Sequence, residues 1–189
     1  MASVVQPHVE PWEFDAIQEN KGWDVDIELI AGEVVVVLPL GDDASKAQGE
    51  LHLALRLWQE QVDDGGLVLQ DVLTTFPDGS RLAPDISWWR AERRPPRSRG
   101  AVRVVPDLAV EVHSPSTRAN DEGIKRELYM RLGVRELWLV DPNARAVTRV
   151  SPDAAPDETL GEGETLTSEL LPGFALEVAA IFPFDAEAR

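Results

Sequence analysis

Blocks of apolar residues separated by polar turns run along the chain, and their spacing predicts both helices and strands. A proline begins a short helix over about residues 11–20, which a Lys21-Gly22 pair ends. Residues 27–30 and 33–38 are apolar and β-branched, and the two-residue connection Ala31-Gly32 between them is typical of a β-hairpin. The chain therefore opens with a helix and a hairpin.

A long amphipathic helix is predicted next, over about residues 45–63. Leu51, Leu55 and Trp58 recur at helical spacing on one face, and a Gly-Gly pair at 65–66 ends the run. After it, residues 67–75 and 85–89 have the composition of strands, with a turn between them at Pro77-Asp78-Gly79.

The next segments predict a buried parallel pair of strands. Residues 108–112 and 136–140 are dense apolar runs, and a helix of about residues 121–132 lies between them. Strand, helix and strand in this order imply a right-handed crossover between neighbouring parallel strands.

The tail is expected to lie outside this sheet. Residues 151–164 have the composition of an acidic, Pro/Gly-rich loop, and residues 170–184 predict a short strand and turn packed against the body. We expect one domain over residues 1–189, with a core of about 24–150 and a C-terminal extension at 151–189.

Composition narrows the classes of protein and of site. At 189 residues and 43% hydrophobic content, one domain can bury its own core. The absence of cysteine excludes disulfides, thiolate metal sites and a cysteine nucleophile, so a metal would bind through oxygen or imidazole. No basic-then-apolar leader and no membrane-length apolar run are present, and we expect a cytoplasmic protein without membrane contact.

The charge distribution is uneven. A net charge of −16 argues against binding nucleic acid over a broad phosphate-neutralising surface. Positive charge is concentrated at residues 90–103, whereas residues 151–169 are almost wholly acidic. The basic cluster consists of Arg90, Arg93, Arg94, Arg97, Arg99 and Arg103. This basic cluster either borders the path of a substrate or is an ordinary solvated loop.

Glu111 is the most informative candidate residue because it interrupts a buried strand. A carboxylate there is unfavourable unless it is paired, protonated or bound to a cation. Asp85, at the start of a short apolar strand, supplies a second carboxylate, and with the carbonyl of residue 112 the pair would make a minimal oxygen cage for Mg²⁺. Taken singly, a Pro-Asp pair is also typical of a turn, and a strand glutamate can pair with arginine.

Lys125 and Tyr129 lie four residues apart on one face of the helix that follows the Glu111 strand. A lysine directed at the strand end could orient or deprotonate a water, or stabilise negative charge on an attacked phosphate. The alternative is a solvated helix lysine.

At these positions the sequence resembles the Uma2 (DUF820) group, described as putative restriction endonucleases of the PD-(D/E)XK superfamily. The resemblance covers most of the chain. Its motifs are IELIAGE at 27–33, APDI at 83–86, PDLAVEVHSPST at 106–117, Asp121 with Lys125 and Tyr129, GVRELWLVDP at 133–142, and LPGF at 171–174.

The resemblance implies an α/β, restriction-endonuclease-like fold, with a central mixed β-sheet flanked by helices and a site at the sheet's opened end. It assigns metal binding, by Mg²⁺ or Mn²⁺, to Asp85 and Glu111 and implies a DNA endonuclease that hydrolyses phosphodiester bonds. The superfamily's lysine position, two residues after the acid, holds His113 here. Lys125 is therefore the expected substitute, and His113 is either a metal- or water-binding group or a structural histidine.

Two further residues match family positions. Glu28 is a candidate third acid, and His52 is either a site residue or a packing residue of its helix. Residues 114–117 carry hydroxyl groups but no nucleophile elbow, and we interpret them as a turn.

The sequence leaves more than one partner and function possible. DNA is the expected substrate, with Arg90, Arg93 and Arg94 as candidate contacts. Many proteins of the superfamily are dimers, so a homodimer is expected. An exposed Trp88-Trp89 pair could form a contact surface, unless both residues are core. The rivals are a catalytically silent binding module with this fold and a metal-dependent hydrolase of small phosphoesters.

Overall fold

The computed structural model describes residues 8–20, 26–114, 117–152 and 154–182. The helices are α1 (Pro11–Asn20), α2 (Asp42–Gln61), α3 (Arg118–Asn120) and α4 (Arg126–Leu132), with a π-helical turn at Asp121–Lys125 and 3-10 turns at Ala91–Arg93 and Val178–Ile181. The strands are β1 (Asp26–Ile30), β2 (Glu33–Val37), β3 (Leu67–Gln70), β4 (Thr74–Thr75), β5 (Arg81–Leu82), β6 (Ile86–Trp89), β7 (Leu108–Val112), β8 (Glu136–Asp141), β9 (Ala146–Ser151), β10 (Ala154–Gly161), β11 (Thr165–Thr167) and β12 (Ala175–Glu177).

A six-stranded mixed sheet forms the centre, with strand order β10-β9-β8-β7-β6-β3. Strands β7 and β8 are parallel, as the strand–helix–strand pattern predicted, and the other neighbours are antiparallel. The register sets Ile86 opposite Val110 and Glu111 opposite Leu139. Asp85, one residue before β6, is thereby brought beside the carboxyl end of β7.

A second sheet of four strands, in the order β2-β1-β5-β4, carries the predicted hairpin. The φ angles of Ala31 and Gly32 are both positive, +50° and +87°, as a two-residue hairpin connection requires. The prediction of a single strand over 67–75 was wrong. Asp71 takes a φ of +50°, and the chain leaves the central sheet there and joins the second sheet at β4.

Helices and the tail cover both faces of the central sheet. On one face, α2 packs through Leu51, Leu55 and Trp58 against the sheet and the C-terminal segment. On the other face, Leu128 and Tyr129 of α4 pack against Ala109, Leu137 and Leu139. This arrangement confirms the predicted mixed sheet flanked by helices.

The structure decides the open question on the two tryptophans, since both are buried. Trp88 donates its indole N–H to Gly65 O at 2.9 Å, and Trp89 donates to Val104 O at 2.8 Å. Because both indole N–H groups find partners inside the protein, burial leaves neither of them unpaired. The exposed Trp-Trp contact surface considered above is therefore wrong.

A loop was predicted over the acidic stretch at 151–164, but Ala154–Gly161 form the strand β10, which pairs with β9 at the edge of the central sheet. An edge strand exposes one side to water, so acidic residues such as Glu158 are tolerated in it. Further along the chain, β12 and the 3-10 turn at Val178–Ile181 confirm the predicted short strand and turn. Residues 21–22, 115–116 and 183–184, to which predictions also refer, lie outside the described ranges. Within those ranges, no helix is both long and apolar enough to cross a bilayer.

Candidate active site

A cleft of about 460 Å³ opens beside the carboxyl end of β7. Six carboxylates and one lysine are the charged groups among the described residues that line it. They are Asp26, Glu28, Asp71, Asp85, Glu111, Asp121 and Lys125. The cleft is therefore strongly acidic.

Asp85 is held from the neighbouring strand. Its Oδ2 accepts a hydrogen bond from the backbone N–H of Val112 at 2.6 Å. Burial raises the pKa of the Asp85 carboxyl to about 7, against the lowering effects of the Val112 hydrogen bond and the Lys125 charge. Asp85 therefore shares the carboxyl end of β7 with Glu111, and it holds a proton more readily than an ordinary aspartate.

Glu111 is buried in the middle of the sheet, where β7 pairs with β8. Its Oε1 accepts a hydrogen bond from the Tyr129 hydroxyl and lies 2.9 Å from Lys125 Nζ. Burial, together with the nearby acids Asp121 and Asp85, raises the pKa of Glu111 well above its ordinary value, although Lys125 opposes this. The phenol and the ammonium fix the position of this carboxylate.

Lys125 is the positive centre of the site. Besides Glu111, its Nζ lies 3.1 Å from Glu28 Oε2 and 3.5 Å from Asp121 Oδ1. Burial alone would lower the pKa of Lys125, but Glu111, Glu28 and Asp121 outweigh it and raise the pKa well above the ordinary value. The side chain therefore keeps its charge.

Glu28 joins the same cluster from the second sheet. Its Oε1 accepts a hydrogen bond from the backbone N–H of Ala83 at 2.7 Å, while Oε2 faces Lys125. The structure thus brings together Asp85, Glu111, Lys125, Glu28 and Tyr129 from the residues singled out in the sequence.

Asp121 lines the cleft, although the sequence analysis assigned it no role in the site. Both of its carboxylate oxygens are buried and accept no hydrogen bond from the described residues, although Lys125 lies within ion-pair distance. It belongs to the π-helical turn, which is kinked at Gly123 and presents Asp121 and Lys125 to the cleft together. The four-residue spacing of Asp121 and Lys125 in the family motif was the available signal.

Gln48 and Asp71 were also missed. The Nε2 of Gln48, on α2, donates to Asp71 Oδ1 at 2.8 Å and to the backbone carbonyl of Asp85 at 3.0 Å. The backbone N–H of Asp71 donates to the same carbonyl at 3.2 Å. Gln48 thus links α2 to the segment that carries Asp85. Because the two segments are far apart in the chain, no local sequence pattern predicts this contact.

His113 lies outside the acidic cleft. It follows the end of β7 and lines a separate cavity of about 330 Å³ with Arg118, Glu122 and Asp141. Neither ring nitrogen makes a hydrogen bond to the described residues, and burial lowers the pKa of the imidazole. His52, partly buried on α2, is likewise not among the described residues that line the cleft.

The arginine-rich segment lies at the opposite end of β7. Arg93 contacts Asp107 Oδ1 at 2.6 Å and Arg90 approaches the same oxygen at 3.3 Å, while Arg94 pairs with Asp64 at 2.6 Å. None of these arginines is among the described cleft-lining residues. Three members of the basic cluster therefore have structural partners away from the cleft.

The donor atoms of the cleft suit a hard divalent cation. Among the described residues, one ammonium faces several buried carboxylates, and the oxygens of Asp121 accept no hydrogen bond. Carboxylate oxygens are the ligands that hard cations such as Mg²⁺ prefer. Within the described ranges, no three carboxylate or imidazole side chains are already arranged as a ligand set. The oxygen-rich lining therefore fits the chemistry of such an ion, although no ligand set is preformed among the described residues.

The sequence matches a known family over most of its length. The model of the Uma2 family, described as "Putative restriction endonuclease", matches residues 11–179. The chain belongs to the Uma2 family. This Uma2 chain also superimposes on the crystal structure of a putative nuclease belonging to DUF820 from Anabaena variabilis, with a TM-score of 0.77 and 19% sequence identity. The match covers 93% of this chain and 98% of that one, and it shows a common fold.

No match was found among curated proteins. The Uma2 resemblance inferred from the sequence motifs is nevertheless confirmed by the family match, and the nuclease-like fold by the structural neighbour.

Proposed function

We propose that this Uma2 protein is a divalent-metal-dependent endonuclease that hydrolyses phosphodiester bonds in DNA, with Mg²⁺ or Mn²⁺ as the ion. One observation carries the proposal: Asp85, just before β6, Glu111, on β7, and Lys125, in the π-helical turn that precedes α4, line one cleft. Membership of a family described as putative restriction endonucleases supports the same class of reaction.

Three groups of the cleft are suited to hold the ion. They are the carboxylates of Asp85 and Glu111 and the backbone carbonyl of Val112. When bound, such an ion polarises a phosphodiester and lowers the pKa of a water. In the hydrolysis, a water would lose a proton as its oxygen forms a bond to phosphorus, one P–O ester bond would break, and the departing alkoxide would take up a proton, so that one water is consumed in total.

The raised pKa of Lys125 selects among its possible roles. A lysine that keeps its proton is a poor general base, but its ammonium can stabilise negative charge developing on the phosphate. Tyr129 and Glu28 would act as positioning residues, because the first donates to Glu111 and the second contacts Lys125.

Cleavage of plasmid and oligonucleotide DNA with Mn²⁺ or Mg²⁺, beside calorimetry with Mn²⁺, tests the proposal. Asp85→Asn and Glu111→Gln should each abolish metal binding and cleavage together. Glu136→Gln is the matched control, since Glu136 is also a buried strand glutamate but bonds to Trp138 and Ser168 away from the cleft. Cleavage by Glu111→Gln at the parent rate would refute the assignment.

A catalytically silent binding module is the second candidate. The net charge of −16 and the acidic cleft favour it, because both oppose a polyanionic substrate. Mn²⁺ binding without cleavage of any DNA or small phosphoester would support this alternative. The homodimer and the cytoplasmic location stay predictions.

A further inference from the structure

Strand β2 lies at an edge of the second sheet. It pairs with β1 on one side, and no other described strand pairs with it on the other side. Natural edge strands are usually blunted by lysine, proline or a bulge, or are covered by another element. The sequence of β2 is EVVVV, without lysine or proline, and its register with β1 is regular. The strand can therefore accept a further strand.

The register identifies the backbone groups of β2 that face outward. In a two-residue hairpin the residues that flank the connection, here Ile30 and Glu33, form a hydrogen-bonded pair, and bonded and non-bonded pairs alternate from there. Val34 and Val36 thus belong to non-bonded pairs, so their N–H and C=O groups point away from β1. No backbone group of another described residue bonds to them. Each offers one donor and one acceptor to an added strand.

The two faces of this edge differ in character. Val35 lies opposite Glu28, so its side chain projects to the face on which the cleft lies. Val36 lies opposite Ile27 and projects to the other face, where it is 49% exposed. Because side chains alternate along a strand, an added strand would also present every second side chain to the cleft.

The cleft face attracts cations. Six carboxylates and one ammonium line the cleft among the described residues, and Lys125 already contacts Glu28, Glu111 and Asp121. The exposed Asp26 begins β1 on the same face as Glu28. Basic side chains of an added strand would complement this face, whereas apolar side chains would suit the face of Val36.

We propose that β2 binds an extended segment of a partner protein, in which basic side chains facing the cleft alternate with apolar side chains beside Val36. The backbone of the segment bonds to Val34 and Val36, as in other cases of strand addition to a sheet edge. Because β2 lines the cleft, a segment bound there also controls access to it. The inference goes beyond the nuclease function and does not depend on it.

A short fluorescent peptide of alternating lysine and valine, with capped ends, is the probe. Fluorescence anisotropy should show at least about tenfold tighter binding than for a peptide of the same composition with its lysines and valines in separate blocks. An alternating peptide methylated on its valine nitrogens should bind as weakly as the block peptide, since it cannot donate to β2. Equal affinities of the three peptides would indicate attraction by charge alone and overturn the proposal.

Val36→Pro tests the edge from the side of the protein. Proline removes an outward N–H without removing a bond to β1, and edge strands tolerate it at such positions. The variant should bind the alternating peptide about tenfold or more weakly than Val36→Thr, which keeps the N–H. Thermal unfolding checks that both variants fold, and the methylated peptide decides the question if Val36→Pro does not. Equal affinities of two folded variants would overturn the backbone contact.

Asp26→Asn tests the charge of the cleft face. It should weaken binding of the alternating peptide and flatten its salt dependence. Asp42→Asn is the control, since Asp42 on α2 is exposed and is not among the described cleft-lining residues. Equal effects of the two substitutions would contradict the orientation of the basic side chains.

Two other occupants of the edge would give different results. A dimer in light scattering that Val36→Pro converts to a monomer would assign the edge to a second copy of this chain. Binding of labelled DNA that Val36→Pro abolishes, with no binding of the alternating peptide, would assign it to nucleic acid. Either result would overturn the proposal.

Discussion

Three carboxylates, of Glu28, Glu111 and Asp121, lie within ion-pair distance of Lys125, which is the one basic side chain among the described residues of the cleft lining, and Asp85 lines the same cleft. Asp85 and Glu111 both have raised pKa values, chiefly because burial disfavours their charged forms. A buried ion pair loses much of its Coulombic gain to desolvation, so such a cluster is better explained by function than by stability. A divalent cation would supply the missing positive charge.

Lys125→Ala should separate metal binding from catalysis. The ammonium cannot bind a cation and now contacts Glu111, so its removal should leave Mn²⁺ affinity equal or tighter. The cleavage rate should fall by roughly two to four orders of magnitude, the scale of a lost charge-stabilising group. Calorimetry and a nicking assay on the same samples measure both. Lys46→Ala, which removes a surface pair with Glu50 on α2, is the control.

Cleavage by Lys125→Ala at the parent rate would contradict this role. His113, at the superfamily's usual lysine position, would then be the residue to substitute, although it lines a different cavity.

Asp85 should make the metal-free protein less stable as pH rises. Its pKa is raised from 3.8 to about 7, so between these values the folded protein binds more protons than the unfolded chain, and its stability falls. The contribution is at most about 4 kcal/mol, and solvent screening at this partly buried group reduces it. Denaturant unfolding with EDTA at pH 4 to 8 measures it. The parent should lose stability relative to Asp85→Asn across this range, and parallel curves would contradict the shift.

Among the elements, α2 has a role beyond packing. Its apolar face covers the central sheet, and Gln48 on the same helix donates to both the Asp85 carbonyl and the Asp71 carboxylate. The helix therefore links the core to the segment that carries a metal-binding candidate.

Gln48→Leu should lower Mn²⁺ affinity by roughly tenfold, the lower end of the range for groups that orient metal ligands. The reason is that Asp85 would lose a donor that fixes its backbone. Gln59→Leu on the same helix is the control, since Gln59 bonds to Gly66 O and is not among the described cleft-lining residues. Calorimetry with Mn²⁺ compares the two variants. Equal Mn²⁺ affinities in Gln48→Leu and the parent would contradict the role of Gln48 in positioning Asp85.

Across the protein as a whole, charge is divided between two ends of the central sheet. The carboxylates of the cleft lie at the carboxyl end of β7, and Arg90 and Arg93 pair with Asp107 just before its first residue. Binding of DNA by the arginine-rich segment stays a prediction. The alternative is that its arginines serve to stabilise the fold by pairing with Asp107.

Replacing Arg90 and Arg93 by Gln distinguishes the two roles. We expect a lower Tm, because the fully buried Asp107 carboxylate loses its cationic partners, and an unchanged salt dependence of DNA binding. Thermal unfolding and anisotropy at several salt concentrations measure these quantities. A salt slope that flattens by about one unit per lost phosphate contact would instead place the segment on the substrate path. Arg131→Gln, which removes a pair with Asp78, is the control.

Local pattern was enough to predict most of the elements. Helix α1, the hairpin β1–β2, helix α2 and the strand β7 were predicted within a few residues, because each side-chain period repeats inside its own segment. Glu111 could be singled out for the same reason, since a charged residue within a buried apolar run contradicts its surroundings. Strand and helix spacing added Asp85 and Lys125 as candidates, and the family resemblance added Glu28.

Only the tertiary structure decided which side chains share the cleft. Gln48 and Asp71 approach Asp85 through contacts between distant segments, and His113 is excluded although its spacing from Glu111 suited the site. The break at Asp71, the edge strand β10 and the burial of both tryptophans depend likewise on which strands pair and in what register. Period and composition describe one segment at a time, whereas pairing, register and burial arise from contacts between segments far apart in the chain.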